Sequence, residues 1–145
     1  MEEKYLVIYP SGELAWAKLE RKPRYDGVYN GEEALNLDDI REIIGCEWLE
    51  HVQTIHRGIA MLIDETGKIQ QTPKPHNERA SLLYGGWNPL RLDDIVGTAV
   101  LFGLWPVDPY GEQDYFPLTR FQRFLVSRTL GVDIETITEE VSSDV

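Results

Sequence analysis

The first structural signal in the chain is an alternation of apolar and polar positions. Tyr5-Leu6-Val7-Ile8-Tyr9 ends at Pro10-Ser11-Gly12, and Leu14 to Leu19 then sets large apolar side chains at every second place, which predicts a β-hairpin. From Arg21 to Gly31 the pattern breaks at Pro23, Gly27 and Gly31, so this stretch reads as a surface loop pinned by Tyr25, Val28 and Tyr29, and long enough to serve as a binding element. At Asn36 the period becomes helical. Asn36 is placed to cap free amides, Asp38 and Asp39 fall in the positive first turn, Leu37, Ile40 and Ile44 form one stripe, and Gly45 offers a left-handed stop.

Period-two alternation returns over residues 47–55 and 58–63, and after the turn Asp64-Glu65-Thr66-Gly67 a further strand is predicted over 68–72. Pro73 and Pro75 interrupt the sheet, and Asn77 caps a second short helix through Ala80, Leu83 and Tyr84 to Gly85-Gly86. Residues 94–104 are nearly all apolar, the pattern of a central strand buried on both faces, whereas Trp105 to Gly111 is too rich in proline and glycine for regular structure. Thr119 then caps a helix from Arg120 to Leu130, predicted to turn Leu118, Phe121 and Leu125 inward and Arg120 and Arg123 outward. Hairpin signals outnumber strand-helix-strand alternations, so the expected class is α+β, with a mainly antiparallel sheet of five or six strands and about three helices.

Composition narrows the class of molecule. The 145 residues fit one domain, and 42% apolar with 27% charged residues is the balance of a chain that folds. Residues 133–145 hold five acids and no base, so the reading is a single domain over 1–132 and an acidic, partly disordered tail whose removal from Glu139 onward leaves folding intact. No apolar run approaches the roughly 20 residues that span a bilayer, the opening Met1-Glu2-Glu3-Lys4 lacks a signal-peptide pattern, and the single Cys46 excludes an internal disulfide; a cytoplasmic protein with a buried, unreactive thiol is expected. The net charge of −11 argues against direct binding to nucleic acid or an anionic membrane.

Five segments together resemble the uncharacterised family known as domain of unknown function 3846. They are Ile43-Ile44-Gly45 at a helix end, Trp48-Leu49-Glu50-His51-Val52, Met61 to Lys68 as a hairpin, Asn77-Glu78-Arg79-Ala80-Ser81-Leu82-Leu83-Tyr84-Gly85, and Asp94-Ile95-Val96-Gly97-Thr98-Ala99-Val100. The resemblance implies an origin in phages, plasmids or prophage regions, and hence a bacterial host cytoplasm. It carries over no catalytic residue.

Candidate chemistry is thin. Cys46, His51 and His56 have the spacing C-x4-H-x4-H, but an interval of five on a strand puts neighbours on opposite faces, so no metal site is expected. The adjacent acid pairs Asp38-Asp39 and Asp93-Asp94 read as caps and turns, and no phosphate loop, nucleophile elbow or zinc-protease motif occurs. Neither an enzyme nor a cofactor is expected. What remains is a set of aromatic residues and arginines in predicted turns, chiefly Tyr29, Arg57, Arg79, Tyr84, Trp87, Arg91, Trp105 and Tyr110, which suit a protein interface or a planar ligand. The leading expectation is a noncatalytic phage- or plasmid-type accessory protein that binds and modulates a host protein, with counter-defence as one such role. Sequestration of a nucleotide-like signal and acidic mimicry of DNA are the alternatives.

Overall fold

β1 (Glu2–Ile8) and β2 (Leu14–Tyr25) pair antiparallel, with Leu6 opposite Trp16 and Ile8 opposite Leu14. The structure, a computed structural model, describes residues 2–25, 30–67, 74–85, 94–107 and 113–141. β2 does not end where Pro23 suggests a loop. It continues to Tyr25 and pairs with β3 (Asn30–Leu35) across a register irregularity between Pro23 and Tyr25. A strand tolerates a residue without an amide proton at such a bulge, so most of the predicted loop is a twisted ribbon. Tyr29, with residues 26–28, lies outside the described residues.

α1 (Leu37–Ile44) is built as its sequence requires: Asn36 Oδ1 accepts from Asp38 N at 3.0 Å, and Gly45 at φ 75° turns its N–H onto Arg41 O at 2.8 Å. There follow β4 (Leu49–Gln53), β5 (Ile59–Asp64), α2 (Glu78–Gly85), β6 (Ala99–Val107), β7 (Gln113–Phe116), α3 (Arg120–Leu130), a 3₁₀ turn (Ile134–Thr136) and β8 (Glu140–Val141). The strand predicted over 68–72 falls outside the described residues.

The sheet runs β3-β2-β1-β6-β5-β4, antiparallel at every step, with β7 paired to β6 and β8 lying parallel to β2. The class is therefore the α+β arrangement that the hairpin signals indicate. β6 is central, but it is displaced toward the C-terminus relative to the apolar run. Val96 makes only an isolated bridge to His76, the ladder starts at Ala99, and it continues through Trp105-Pro106-Val107, where a register irregularity between Leu104 and Val107 accommodates the proline.

Both sheet faces are covered. Leu6, Ile8, Met61, Ala99 and Leu101 pack with Leu83 of α2, Val126 and Leu130 of α3, and Ile134. Tyr5, Val7, Leu62, Val100 and Phe102 on the other face pack with Ile40 and Ile44 of α1. The acidic segment after α3 is integral to the first of these layers: Ile134 is fully buried, Trp16 N donates to Glu139 O at 2.9 Å, and Lys18 pairs with Glu140 at 3.0 Å. Residues 142–145 lie outside the described ones. Among the described residues no helix is long and apolar enough to cross a membrane.

Candidate partner-binding surface on α3

α3 is fixed at both ends and on one side. Thr119 and Gln122 form a reciprocal capping box, with Gln122 N on Thr119 Oγ1 at 3.1 Å and Thr119 N on Gln122 Oε1 at 2.9 Å. The Gln122 side chain also reaches Gly58 O at 2.9 Å, and it lies so close to β6 that a Cβ on Gly103 would sit 2.6 Å from its Oε1. Val126 and Leu130 are buried beneath the helix. With the inward side so defined, 3.6 residues per turn place Arg120, Phe121, Phe124 and Arg128 outward. Phe121 is 67% exposed and Phe124 57%, their rings near parallel with centroids 6.5 Å apart. This corrects the inward placement of Phe121 read from sequence. Arg123, read there as outward, lies half-buried along the flank, donating to Leu118 O at 2.9 Å and to Glu135.

The β4–β5 turn lies alongside this strip. Thr54 Oγ1 donates to Ile59 O at 2.7 Å and accepts from His56 N at 3.1 Å, which stiffens the turn, and Ile55 N reaches Leu83 O at the end of α2 at 2.8 Å. His56 Nε2 stands 2.7 Å from Thr129 Oγ1, whose own proton is directed at Leu125 O, so the imidazole nitrogen is the donor. Ile55, 49% exposed, and Arg57 are thereby presented beside α3.

Of the residues singled out in the sequence, Arg57 belongs to this surface. Tyr84 is half-buried against the core at the α2 end that meets the turn, and Arg79 is half-buried at the other end of α2. Trp105 is placed by its backbone on β6, while Trp87, Arg91 and Tyr110, like Tyr29, lie outside the described residues. Of that set only Arg57, Arg79 and Tyr84 have described side chains, and Arg79 is at the end of α2 away from the other two; the exposed surface on α3 rests on Phe121 and Phe124. Arginines four residues before and after Phe124 are the signal that marks its side as the wet one.

Three other polar groupings have structural employment. Asp94 Oδ2 and Ser81 Oγ both lie 3.3 Å from the same atom, His76 Nε2, so the imidazole has no separate nitrogen with which to relay a proton between them. Ser81 is fully buried, donating to Asn77 O at 2.7 Å and accepting from Ile95 N at 2.9 Å. On the opposite face, Arg21 binds Glu3 at 2.9 Å and donates to Tyr115 O, its guanidinium carbon lies 4.4 Å from the Phe116 ring centre, and Tyr115 Oη meets His51 Nδ1 at 2.9 Å. Burial pushes the Tyr5 hydroxyl far up, with its bond to Glu3 adding to the shift, and burial lowers His51 below the ordinary histidine value. Lys74 bridges fully buried Asp64 at 2.9 Å and the last carbonyls of α1, Ile44 O and Gly45 O, at 3.1 and 3.0 Å.

Cys46, His51 and His56 are divided between the α1 exit, β4 and the β4–β5 turn, where each histidine has the hydroxyl partner already given. Burial, then the charge of Asp64, pushes the Cys46 thiol up, which keeps it protonated at neutral pH. A groove of about 430 Å³ lies between the β2–β3 ribbon and α1, lined by Lys22, Leu35, Asp38 and Arg41 among others, but Asp38 and Arg41 pair with each other along the α1 wall at 2.6 Å and Asn36 is spent on its cap.

No curated protein and no solved structure matches the chain. A family model does match, over residues 7–125, which takes in the end of β1, β2 to β7, α1, α2 and the first half of α3. The five segments quoted from the sequence all fall within it, and the chain belongs to the family described as Domain of unknown function (DUF3846).

Proposed function

We propose that this chain is a noncatalytic accessory protein that binds and modulates another protein, a host protein in the cellular setting that the mobile-element resemblance implies. The observation that carries the reading is the outward face of α3. Two phenylalanines more than half exposed and stacked on each other are a poor solution for a helix whose only task is to cover a sheet, since burial of each ring is worth about 1.5–3 kcal/mol and here most of it is forgone. Exposed aromatic pairs flanked by arginine have the composition of interface anchors. The Ser81 hydroxyl, fully buried and hydrogen-bonded twice, favours binding over hydrolytic chemistry at the one Ser/His/Asp grouping among the described residues.

The test is affinity capture from lysate of the cell that carries the gene, with quantitative mass spectrometry, comparing wild type with a Phe121→Ser/Phe124→Ser variant of unchanged thermal midpoint. A protein retained by the first and lost from the second supports the reading. Equal recovery by both counts against it.

A further inference from the structure

The face of α3 is charged as well as aromatic, and its charge opposes that of the whole molecule. The helix Arg-Phe-Gln-Arg-Phe-Leu-Val-Ser-Arg-Thr-Leu has three arginines and no acid in a chain of net charge −11. Arg123 is engaged by Glu135 on the flank. Arg120 and Arg128 bracket Phe124 one turn to each side, Arg57 stands on the adjacent rigid turn, and among the described residues none of these three has an ion-pair partner. Phe121 and Phe124 on α3 and Ile55 on the turn bonded to it are thus exposed apolar side chains on the same two elements as these three arginines.

A partner that covers this strip must bring apolar side chains for the rings and carboxylates for the arginines. The overall charge of −11 repels a long polyanion. A short acidic segment meets the local arginines without presenting a long phosphate backbone to the acidic body. The strip follows a helix of 11 residues, about 16 Å long, and a helical ridge is covered most completely by the groove of another helix.

We propose that the α3 strip, with Ile55 and Arg57, is the docking site for an acidic amphipathic helix of the partner protein, apolar residues at helical spacing seated on Phe121 and Phe124 and carboxylates paired with Arg57, Arg120 and Arg128. This rests on the reading of α3 as the partner-facing surface and names the chemistry of what covers it.

The experiment is selection of a displayed library of helix-forming peptides, varied in charge and apolar content, on the full chain. Enriched peptides should be acidic with apolar residues at i, i+3 or i+4, and i+7. Phe121→Ser/Phe124→Ser should weaken them about thirtyfold, as truncation of central anchors does. Arg120→Glu/Arg128→Glu should weaken them comparably, and exchanging the peptide's carboxylates for lysines should restore binding to that charge-reversed variant alone. Neutral or basic peptides that still need the phenylalanines would leave α3 as the partner surface and overturn the acidic chemistry. Peptides indifferent to both variants, or no enrichment, would overturn the site and remove the support it gives to the proposed function. Two parallel arms identify other occupants: arginine-dependent retention of a labelled single-stranded DNA oligomer, or a dimer in sedimentation that the phenylalanine variant dissolves, would each replace the acidic helix.

Discussion

The side chain of Asn77 serves backbone groups from three parts of the chain. Its amide nitrogen donates to Ile8 O on β1 at 2.9 Å and to Gly97 O before β6 at 2.8 Å, while its oxygen accepts from Ala80 N at 3.1 Å to cap α2. Alanine there would uncap the helix and leave two buried carbonyls without a donor, so Asn77→Ala should lower unfolding free energy by about 3–5 kcal/mol in urea titration. Asn77→Asp should restore the cap but not the donors, and recover only about 1 kcal/mol of that loss. Asp64 is the comparable point for charge. Burial pushes its carboxyl up, but Lys74 and the two bonds from Thr66 outweigh burial and hold it below the ordinary aspartate value. A carboxyl whose folded pKa is depressed contributes stability that is complete above its unfolded value, about 4, and is lost as pH falls toward the folded one. Lys74→Met should therefore cost about 2–4 kcal/mol at pH 7, and less at pH 3, below the unfolded value, where part of the pair's contribution is already gone. A difference between the two denaturation curves that is flat from pH 7 to pH 3 would contradict this.

At the scale of elements, what was legible in the sequence follows from which signals are local. Asn36 and Gly45 specify α1 within ten residues, and Thr119, Gln122 and Gly131 do the same for α3, because caps act on backbone groups a turn away. β3 and β7 were not legible: Asn30–Leu35 and Gln113–Phe116 owe their strand conformation to distant partners, β2 and β6, and their own patterns carry no clean alternation. The rotation of α3 is ambiguous in the sequence for a related reason. Apolar residues at 121, 124, 125, 126 and 130 surround the helix, so periodicity alone admits two inward faces, and contact with β6 and the β4–β5 turn selects the one containing Val126. Much of the acidic segment also changes character once β8 is seen. Deleting residues from Glu139 onward removes the bond to Trp16 N and the strand on β2, and should leave a folded chain destabilised by about 1–2 kcal/mol. Deletion from Asp133 also removes fully buried Ile134 from the core and should cost a further 2–5 kcal/mol or so, read as a lower thermal midpoint.

The whole molecule is a sheet with two covered faces and an uneven surface. Five of the eleven excess negative charges lie in residues 133–145, where Glu139 and Glu140 meet β2 and Glu135 pairs with Arg123 on the flank of α3, whereas the outer side of α3 carries arginines and exposed rings. Such asymmetry orients encounters: an acidic partner segment is drawn to α3 and turned away from the rest, so added salt should slow association more than it speeds dissociation. The most direct test of α3 as the partner-binding surface is site-specific photo-crosslinking in living cells, with p-benzoylphenylalanine at position 124 and, as a control, at exposed Glu33 on the β2–β3 ribbon. Docking on α3 predicts a discrete protein adduct from position 124 and none from position 33. Equal adducts from both positions, or none from position 124 in cells where the chain is folded, would contradict it.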